Sequence, residues 1–219
     1  MKEAILYKKR EKDLVDCYLC RHRCRIAPGH RGFCNVRENR EGTLYTLVYG
    51  YPIALHVDPV EKKPLFHFLP GTAAYSLATQ GCNFRCPWCQ NWQISHTEDG
   101  ETFSHGPYRS PEELVDDAAD KGAESLCYTY TEPTIFMEYA LDIAALAKAR
   151  GMKNLFVTNG YETPEAIQEM TGLIDAANVD LKAFSDDTYR ETCQAGLDGV
   201  LDTIRKLHNA GIHVEVTTL

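Results

Sequence analysis

The chain has 219 residues, of which 44% are hydrophobic and 25% charged, and its formal net charge is −8. This acidic balance argues against a protein that tracks nucleic-acid phosphates, and the longest apolar runs are too short to cross a bilayer. No apolar signal segment stands at the start of the chain, so we expect a cytoplasmic protein with no membrane partner.

Nine cysteines are present, and seven of them fall in two groups. Clustered cysteines without a secretory signal indicate metal binding or redox chemistry before they indicate disulfides. The first group is Cys17, Cys20, Cys24 and Cys34. Three alternatives stay open for it: a tetrahedral zinc site, a second iron–sulfur cluster, or thiols without metal. The spacing of the ligands does not separate the first two.

The chain divides by pattern into three parts. Residues 1–42 form a Cys-rich N-terminal module, in which Pro28, Gly29 and Gly32 predict tight loops rather than regular structure. Residues 43–72 are predicted to hold two short strands, 43–49 and 53–57, followed by an irregular connector with three prolines. Residues 73–219 change to an alternation of strands and helices.

That alternation predicts parallel βα units, and hence an α/β fold. The predicted strands are 74–78, 125–130, 154–158, 177–181 and 212–217. One predicted helix begins after a cap at Ser110, and others cover 135–150, 164–174 and 200–210. Only five strands are seen, and the last one reaches the end of the chain, so we expect a partial (β/α) barrel whose C-terminal strands are missing.

The second cysteine group directly follows the first of these strands, as Cys82-x3-Cys86-x2-Cys89. Three thiolates can bind three irons of a [4Fe–4S] cubane and leave the fourth iron open, whereas ferredoxin clusters use four cysteines. Structural zinc also normally takes four ligands. The triplet is therefore either an incomplete site or a catalytic cluster whose open iron binds a chelating ligand. Cys127 and Cys193, in a predicted strand and helix, are expected to be core residues.

This loop, with the aromatic Trp88 before its third cysteine, resembles the radical S-adenosylmethionine (SAM) superfamily. The resemblance implies that the open iron binds SAM and that one electron cleaves it to a 5′-deoxyadenosyl radical, which abstracts hydrogen from a substrate. It also implies a barrel of radical SAM type and a low-potential electron donor such as flavodoxin or ferredoxin.

The ends of the later strands carry further similarities. Tyr130-Thr131-Glu132-Pro133 resembles the family's Gly-Gly-Glu-Pro turn, which holds the SAM amino group. Tyr130 and Thr131 stand in place of its two glycines. Thr158-Asn159-Gly160 and Asp180-Leu181-Lys182 resemble two motifs of glycyl-radical-enzyme activases. In those activases an acidic residue stands where this chain has Val157. The SAM-binding residues that the resemblance implies are Trp88, Thr131, Glu132, Thr158, Asn159, Asp180 and Lys182.

The resemblance extends over the whole chain, including the first cysteine group and residues 58–71. The chain is similar to proteins described as pyruvate formate-lyase activating enzyme-like, or as the radical SAM member of the AmmeMemoRadiSam system. This implies a protein substrate, or AMMECR1-like and Memo-like proteins, as candidate partners. Besides a radical reaction on an unidentified substrate, two hypotheses stay open: a glycyl-radical-enzyme activase, and a non-catalytic zinc or iron–sulfur scaffold.

Overall fold

The computed structural model describes residues 1–96 and 106–218. The strands are β1 (Lys2–Glu3), β2 (Tyr7–Lys9), β3 (Val15–Cys17), β4 (Arg25–Ile26), β5 (Arg37–Arg40), β6 (Thr43–Thr46), β7 (Ala54–Pro59), β8 (Ala73–Ala78), β9 (Ser125–Tyr128), β10 (Lys153–Thr158), β11 (Ala176–Leu181) and β12 (His213–Thr218). The α-helices are α1 (Trp92–Ser95), α2 (Pro111–Asp120), α3 (Met137–Ala149), α4 (Pro164–Met170), α5 (Asp186–Thr188) and α6 (Leu197–Asn209). Within the described residues, none of these helices is long and apolar enough to span a membrane.

The N-terminal part of the chain is more regular than its composition predicts. The expectation of loops without regular structure is wrong, because β1, β6 and β5 form one antiparallel sheet and β2, β3 and β4 form another. The glycines do mark turns, and Gly29 and Gly42 have positive φ. The segments between them pair as strands of two to four residues, since pairing satisfies their backbone polar groups.

A six-stranded sheet follows, in the order β12-β11-β10-β9-β8-β7. Strands β8 to β12 are parallel, which confirms the α/β fold and the five predicted parallel strands. β7 pairs antiparallel with β8 and covers that edge of the parallel strands. In the described part of the chain, β7 and β12 do not pair with each other, so the sheet is a partial barrel rather than a closed one.

Helices cover the outer face of this sheet. Leu77, Tyr128, Phe156 and Val179 point outward from four neighbouring strands and belong to the main hydrophobic core, together with buried residues of α2, α3, α4 and α6. The predicted capping box is present at the start of α2. Ser110 Oγ accepts a hydrogen bond from the Glu113 backbone N–H at 3.2 Å, and Glu113 accepts one from the Ser110 N–H at 2.8 Å.

The connector between β7 and β8 lies against the concave face of the sheet. Val60 and Leu65 are fully buried there in a second core with Cys127, Leu155 and Ala176, so Cys127 is a core residue as expected. The connector reaches across to β12, where Glu215 accepts hydrogen bonds from the Phe66 and His67 backbone N–H groups, both at 2.9 Å. The segment therefore fills the interior of the partial barrel despite having little regular structure.

Candidate active site

A cavity of about 570 Å³ opens at the carboxyl ends of β8 to β11. Its volume lies in the range of small-molecule sites, and this end of the strands is where barrel enzymes bind their ligands. All ten residues that the sequence assigns to the cluster and to SAM line it. These are Cys82, Cys86, Trp88, Cys89, Thr131, Glu132, Thr158, Asn159, Asp180 and Lys182. The cavity thus gathers side chains from four strand ends into one site.

The loop of residues 81–91, here named the cysteine loop, is shaped by local hydrogen bonds. Gly81 has φ +103°, and a Cβ there would lie 2.6 Å from a Val36 methyl carbon, so only glycine fits. The Phe84 backbone N–H donates to Cys82 Sγ at 3.3 Å, and the Cys89 N–H donates to the Cys86 carbonyl at 3.2 Å. These turns bring Cys82, Cys86 and Cys89 to the wall of the cavity and bury Phe84.

The cysteine loop rests on the N-terminal part of the chain. His22 Nε2 donates to the Asn83 carbonyl oxygen at 2.7 Å, and the His22 ring stacks on Phe33. Arg85 donates to the carbonyl oxygens of Phe33, Cys82 and Phe84 at 2.5 to 2.9 Å, and its guanidinium lies over the Phe33 ring. The segments between β3 and β4 and between β4 and β5 therefore support the cysteine loop.

The three cysteines of the loop differ in exposure: Cys86 is buried, whereas Cys82 and Cys89 are partly exposed. Burial raises the pKa of Cys82 to about 12. The pKa of Cys86 is also raised, first because its thiol donates to Cys193 Sγ and then because of burial, while the same hydrogen bond lowers the pKa of Cys193. The two sulfur atoms are 3.5 Å apart. Cys193 is buried, as expected of a core residue, but it lies against a loop cysteine, which the sequence did not indicate.

Glu132 is fixed by a dense set of donors at the edge of the cavity. It accepts hydrogen bonds from the Asn159 N–H at 2.8 Å, from Thr134, and from Thr158 Oγ1 at 2.8 Å. Both threonine hydroxyls also reach Glu162, at 3.1 and 2.6 Å. Burial, and next the neighbouring charge of Glu162, raise the pKa of Glu132 to about 7. Sequence reasoning missed Glu162, because a glutamate three residues after Asn159 carries no pattern of its own.

The remaining predicted side chains surround the same space. Asn159 Nδ2 donates to Asn83 Oδ1 at 2.7 Å and lies 3.9 Å from Cys82 Sγ. Asp180 and Lys182 form an ion pair of 2.6 Å, while Trp88 is 44% exposed at the cavity edge. Of the residues in the following loop, His96 does not line the cavity and His105 lies outside the described residues.

Two lysines of the cavity wall were also missed. Lys62 and Lys63 belong to the connector between β7 and β8, and both line the cavity. An irregular, proline-containing segment gives no periodicity from which their position could be predicted.

The first cysteine group does not line this cavity. Cys17, Cys20, Cys24 and Cys34 lie close enough for their charges to interact, and burial raises the pKa of Cys20 well above its usual value and that of Cys34 to about 12. The Phe33 backbone N–H donates to Cys24 Sγ at 3.4 Å. Zinc is not supported: among residues 1–96 and 106–218, no three His, Cys, Asp or Glu side chains are arranged as ligands of one ion, and this holds for Cys82, Cys86 and Cys89 as well as for the first group.

Comparison with known proteins agrees with the architecture and the cysteine loop. The family model described as "Radical SAM superfamily" matches residues 76–219. An uncharacterized protein of Methanocaldococcus jannaschii, MJ0808, is 44% identical over 221 residues, covering 100% of this chain and 64% of that protein. The pyruvate formate-lyase-activating enzyme of Clostridium pasteurianum is 26% identical over 151 residues, covering 64% of this chain and 60% of that enzyme.

Among solved structures, Streptococcus suis SuiB bound to precursor peptide SuiA matches with a TM-score of 0.49 and 14% identity, covering 63% of this chain and 30% of SuiB. The chain spans less than two thirds of the length of the curated relatives described above. The family match covers well over half of the chain, including the cysteine loop and every parallel strand end that lines the cavity. The chain belongs to the radical SAM superfamily.

Proposed function

We propose that Cys82, Cys86 and Cys89 hold a [4Fe–4S] cluster in the cavity, and that the chain uses it to cleave SAM and start a radical reaction on a substrate. The observation that carries the proposal is the meeting of the three thiols with Glu132, Asn159 and Asp180 in one cavity. When bound there, the cluster and SAM would supply a 5′-deoxyadenosyl radical that abstracts hydrogen.

The residues around the sulfur atoms fit such a cluster. Hydrogen bonds to sulfur tune and stabilise iron–sulfur centres, and Cys82 Sγ already accepts one from the Phe84 N–H at 3.3 Å. The buried Asn83 Nδ2 has no hydrogen-bond partner among the described residues, and its side chain lies beside Cys82. An amide N–H left over at this position suits a sulfur acceptor of the cluster.

The opposite charges at the strand ends suit the methionine part of SAM. Glu132 is an acceptor for the ammonium group, held in place by Asn159, Thr134 and Thr158. Asp180 and Lys182 present one anionic and one cationic group to the same cavity. Because these side chains are fixed by partners before any ligand arrives, little reorganisation is needed on binding.

The test is anaerobic reconstitution with iron and sulfide, reduction with dithionite, and assay of SAM conversion to 5′-deoxyadenosine. We expect the wild type to form the product and Cys86→Ala to form none. Cys127→Ala is the matched control, since Cys127 is equally buried but lies in the second core away from the cavity. Its product formation should stay close to that of the wild type.

The same samples separate the proposal from a non-catalytic scaffold. A scaffold of either kind would show no SAM cleavage in any of these samples, and a zinc scaffold would in addition bind no iron, with or without Cys86. Cleavage by a fully reconstituted Cys86→Ala protein would refute the assignment of this cysteine as a ligand. We propose that a low-potential flavodoxin or ferredoxin donates the electron, and either protein should replace dithionite in the assay.

An activase that acts on a glycyl-radical enzyme is the second candidate. The similarity to the Clostridium pasteurianum enzyme favours it, and so do three aromatic side chains exposed next to the site. Trp88 and Trp92 are 44% and 58% exposed, and Phe184, just after β11, is 80% exposed. A protein substrate would bury these rings. Electron paramagnetic resonance would detect a glycyl radical in a partner mixed with the reduced holoenzyme, and its absence from every glycyl-radical partner would exclude this candidate.

A further inference from the structure

A compact group of charged side chains forms the part of the cavity wall that comes from β7 and the connector. Asp58 lies at its centre and is mostly buried. Its carboxylate accepts hydrogen bonds from Lys62 Nζ at 2.7 Å, Lys63 Nζ at 2.8 Å and the Tyr130 hydroxyl at 2.7 Å. Lys62, Lys63 and Tyr130 all line the cavity that holds the cysteine loop.

The members of this group differ sharply in exposure. The Lys63 side chain is 1% exposed and lies 5.2 Å from the centre of the Tyr130 ring, whereas the Lys62 side chain is 68% exposed. A buried ammonium is costly unless it is paired, so Lys63 requires Asp58 as its counter-charge. One carboxylate thus serves two lysines, and the group carries one positive charge that no residue within it balances.

Among the described residues that line the cavity, the other charged side chains do not supply that balance. Asp180 is paired with Lys182 at 2.6 Å, and Glu132 is enclosed by hydrogen bonds from Asn159, Thr134 and Thr158. A surface ion pair is ordinarily mobile and contributes little. Here the buried Lys63 and the Tyr130 hydroxyl fix Asp58, so Asp58 in turn fixes the Lys62 ammonium at the cavity wall. A cation held in advance at the edge of a cavity is suited to binding an anion.

We propose that Lys62, positioned by Asp58, Lys63 and Tyr130, binds an oxyanion group of the substrate, either a carboxylate or a phosphate. The inference rests on the proposed function in one respect, namely that this substrate is the one acted on by the radical reaction. Lys62 and Lys63 bring no redox chemistry. Their role is to recognise the anion and to position the substrate beside the SAM site.

The experiment uses the reconstituted, SAM-loaded protein and titrates it anaerobically by calorimetry with two probes, inorganic phosphate and glutarate. Wild type should bind at least one probe at millimolar concentration, and Lys62→Met should weaken this binding about tenfold or more. That is the loss expected for one hydrogen bond to a charged group. Lys62→Arg keeps the charge and should retain binding within a few-fold.

Lys121→Met is the matched control. Lys121 pairs with Asp117 at 2.8 Å, in the same i,i+4 spacing as Lys62 with Asp58. Lys121 lies directly after α2 and does not line the cavity. It should bind the probes as the wild type does. Because both lysines are exposed, both variants should fold, which equal unfolding temperatures would verify.

Binding of phosphate alone would identify a phosphate-bearing substrate, and binding of glutarate alone a carboxylate; either result supports the proposal when Lys62→Met weakens the binding about tenfold or more. Equal binding by Lys62→Met, or binding of neither probe by the wild type, overturns it. SAM cleavage without substrate, measured on the same samples, keeps the two proposals apart. If the wild type cleaves SAM but binds no anion, only the anion site fails; if anion binding depends on Lys62 but no SAM is cleaved, only the proposed function fails.

Discussion

A buried ion pair joins the N-terminal sheets to the helical layer, and its removal tests how firmly the two are joined. Arg37 Nη2 donates to Glu138 Oε1 at 2.6 Å, and both side chains are 1% exposed. The same carboxylate accepts the Ile5 backbone N–H at 2.8 Å. Glu138→Leu would therefore leave a guanidinium, which does not lose its proton, without a counter-charge in the core.

The expected cost is large for a single substitution. Removing one member of a buried pair costs about 3–5 kcal/mol, and in a chain of this size each kcal/mol lowers Tm by about 2–4 °C. We therefore expect Tm to fall by roughly 6–20 °C. The double variant Arg37→Met/Glu138→Leu should recover most of the loss, because well-packed apolar side chains replace a buried ion pair at little cost.

Urea unfolding followed by circular dichroism measures these free energies. Arg150→Met is the comparison, because Arg150 pairs with Asp116 at 2.5 Å on the surface, and its loss should cost about 0–1 kcal/mol. A cost below about 1 kcal/mol for Glu138→Leu would refute the reasoning, since it would mean that Arg37 reaches water. A double variant as unstable as the single one would show that packing, not the unpaired charge, carries the effect.

Three further predictions concern the site. Gly81→Ala should reduce iron and sulfide content after reconstitution, because φ is +103° and the new Cβ would meet a neighbouring methyl carbon at 2.6 Å. Burial raises the pKa of Glu132 from 4.5 to about 7. The protonated carboxyl therefore contributes its full stabilisation of the folded protein below pH 4.5, and this contribution is lost as the pH rises through 7. The free energy of unfolding should fall across that interval, and less steeply in Glu162→Gln. Diamide should take two electrons and two protons from the metal-free protein and link Cys86 to Cys193, whose sulfur atoms are 3.5 Å apart, as peptide mapping would reveal.

Much of the site could be predicted because its residues occupy equivalent positions in a repeating pattern. Cys82, Glu132 and Asn159 each follow a predicted strand, and Asp180 lies near the end of another. Since parallel strands present their carboxyl ends at one edge of a sheet, residues far apart in sequence were expected to meet there. The cavity is lined by all four. The expectation of loops in residues 1–42 failed because short strands carry too few residues to show periodicity.

What the structure adds lies in contacts that no local pattern encodes. Cys193 was expected only to be buried, yet it touches Cys86, 107 residues earlier in the chain. Glu162 joins Glu132 through two shared threonine hydroxyls. In both pairs the neighbours come from different βα units, so their contact depends on how those units pack together.

The sequence by itself determined the fold class, the cysteine loop and the edge of the sheet at which ligands meet, because each depends on spacing within one strand, loop or helix. Only the tertiary structure decided that an irregular connector fills the barrel interior and brings Lys62 and Lys63 to the cavity. The physical reason is that Val60 and Leu65 are buried against residues of β8, β9, β10 and β11, most of which lie far away in the sequence. Contacts of this kind leave no periodic pattern in the sequence.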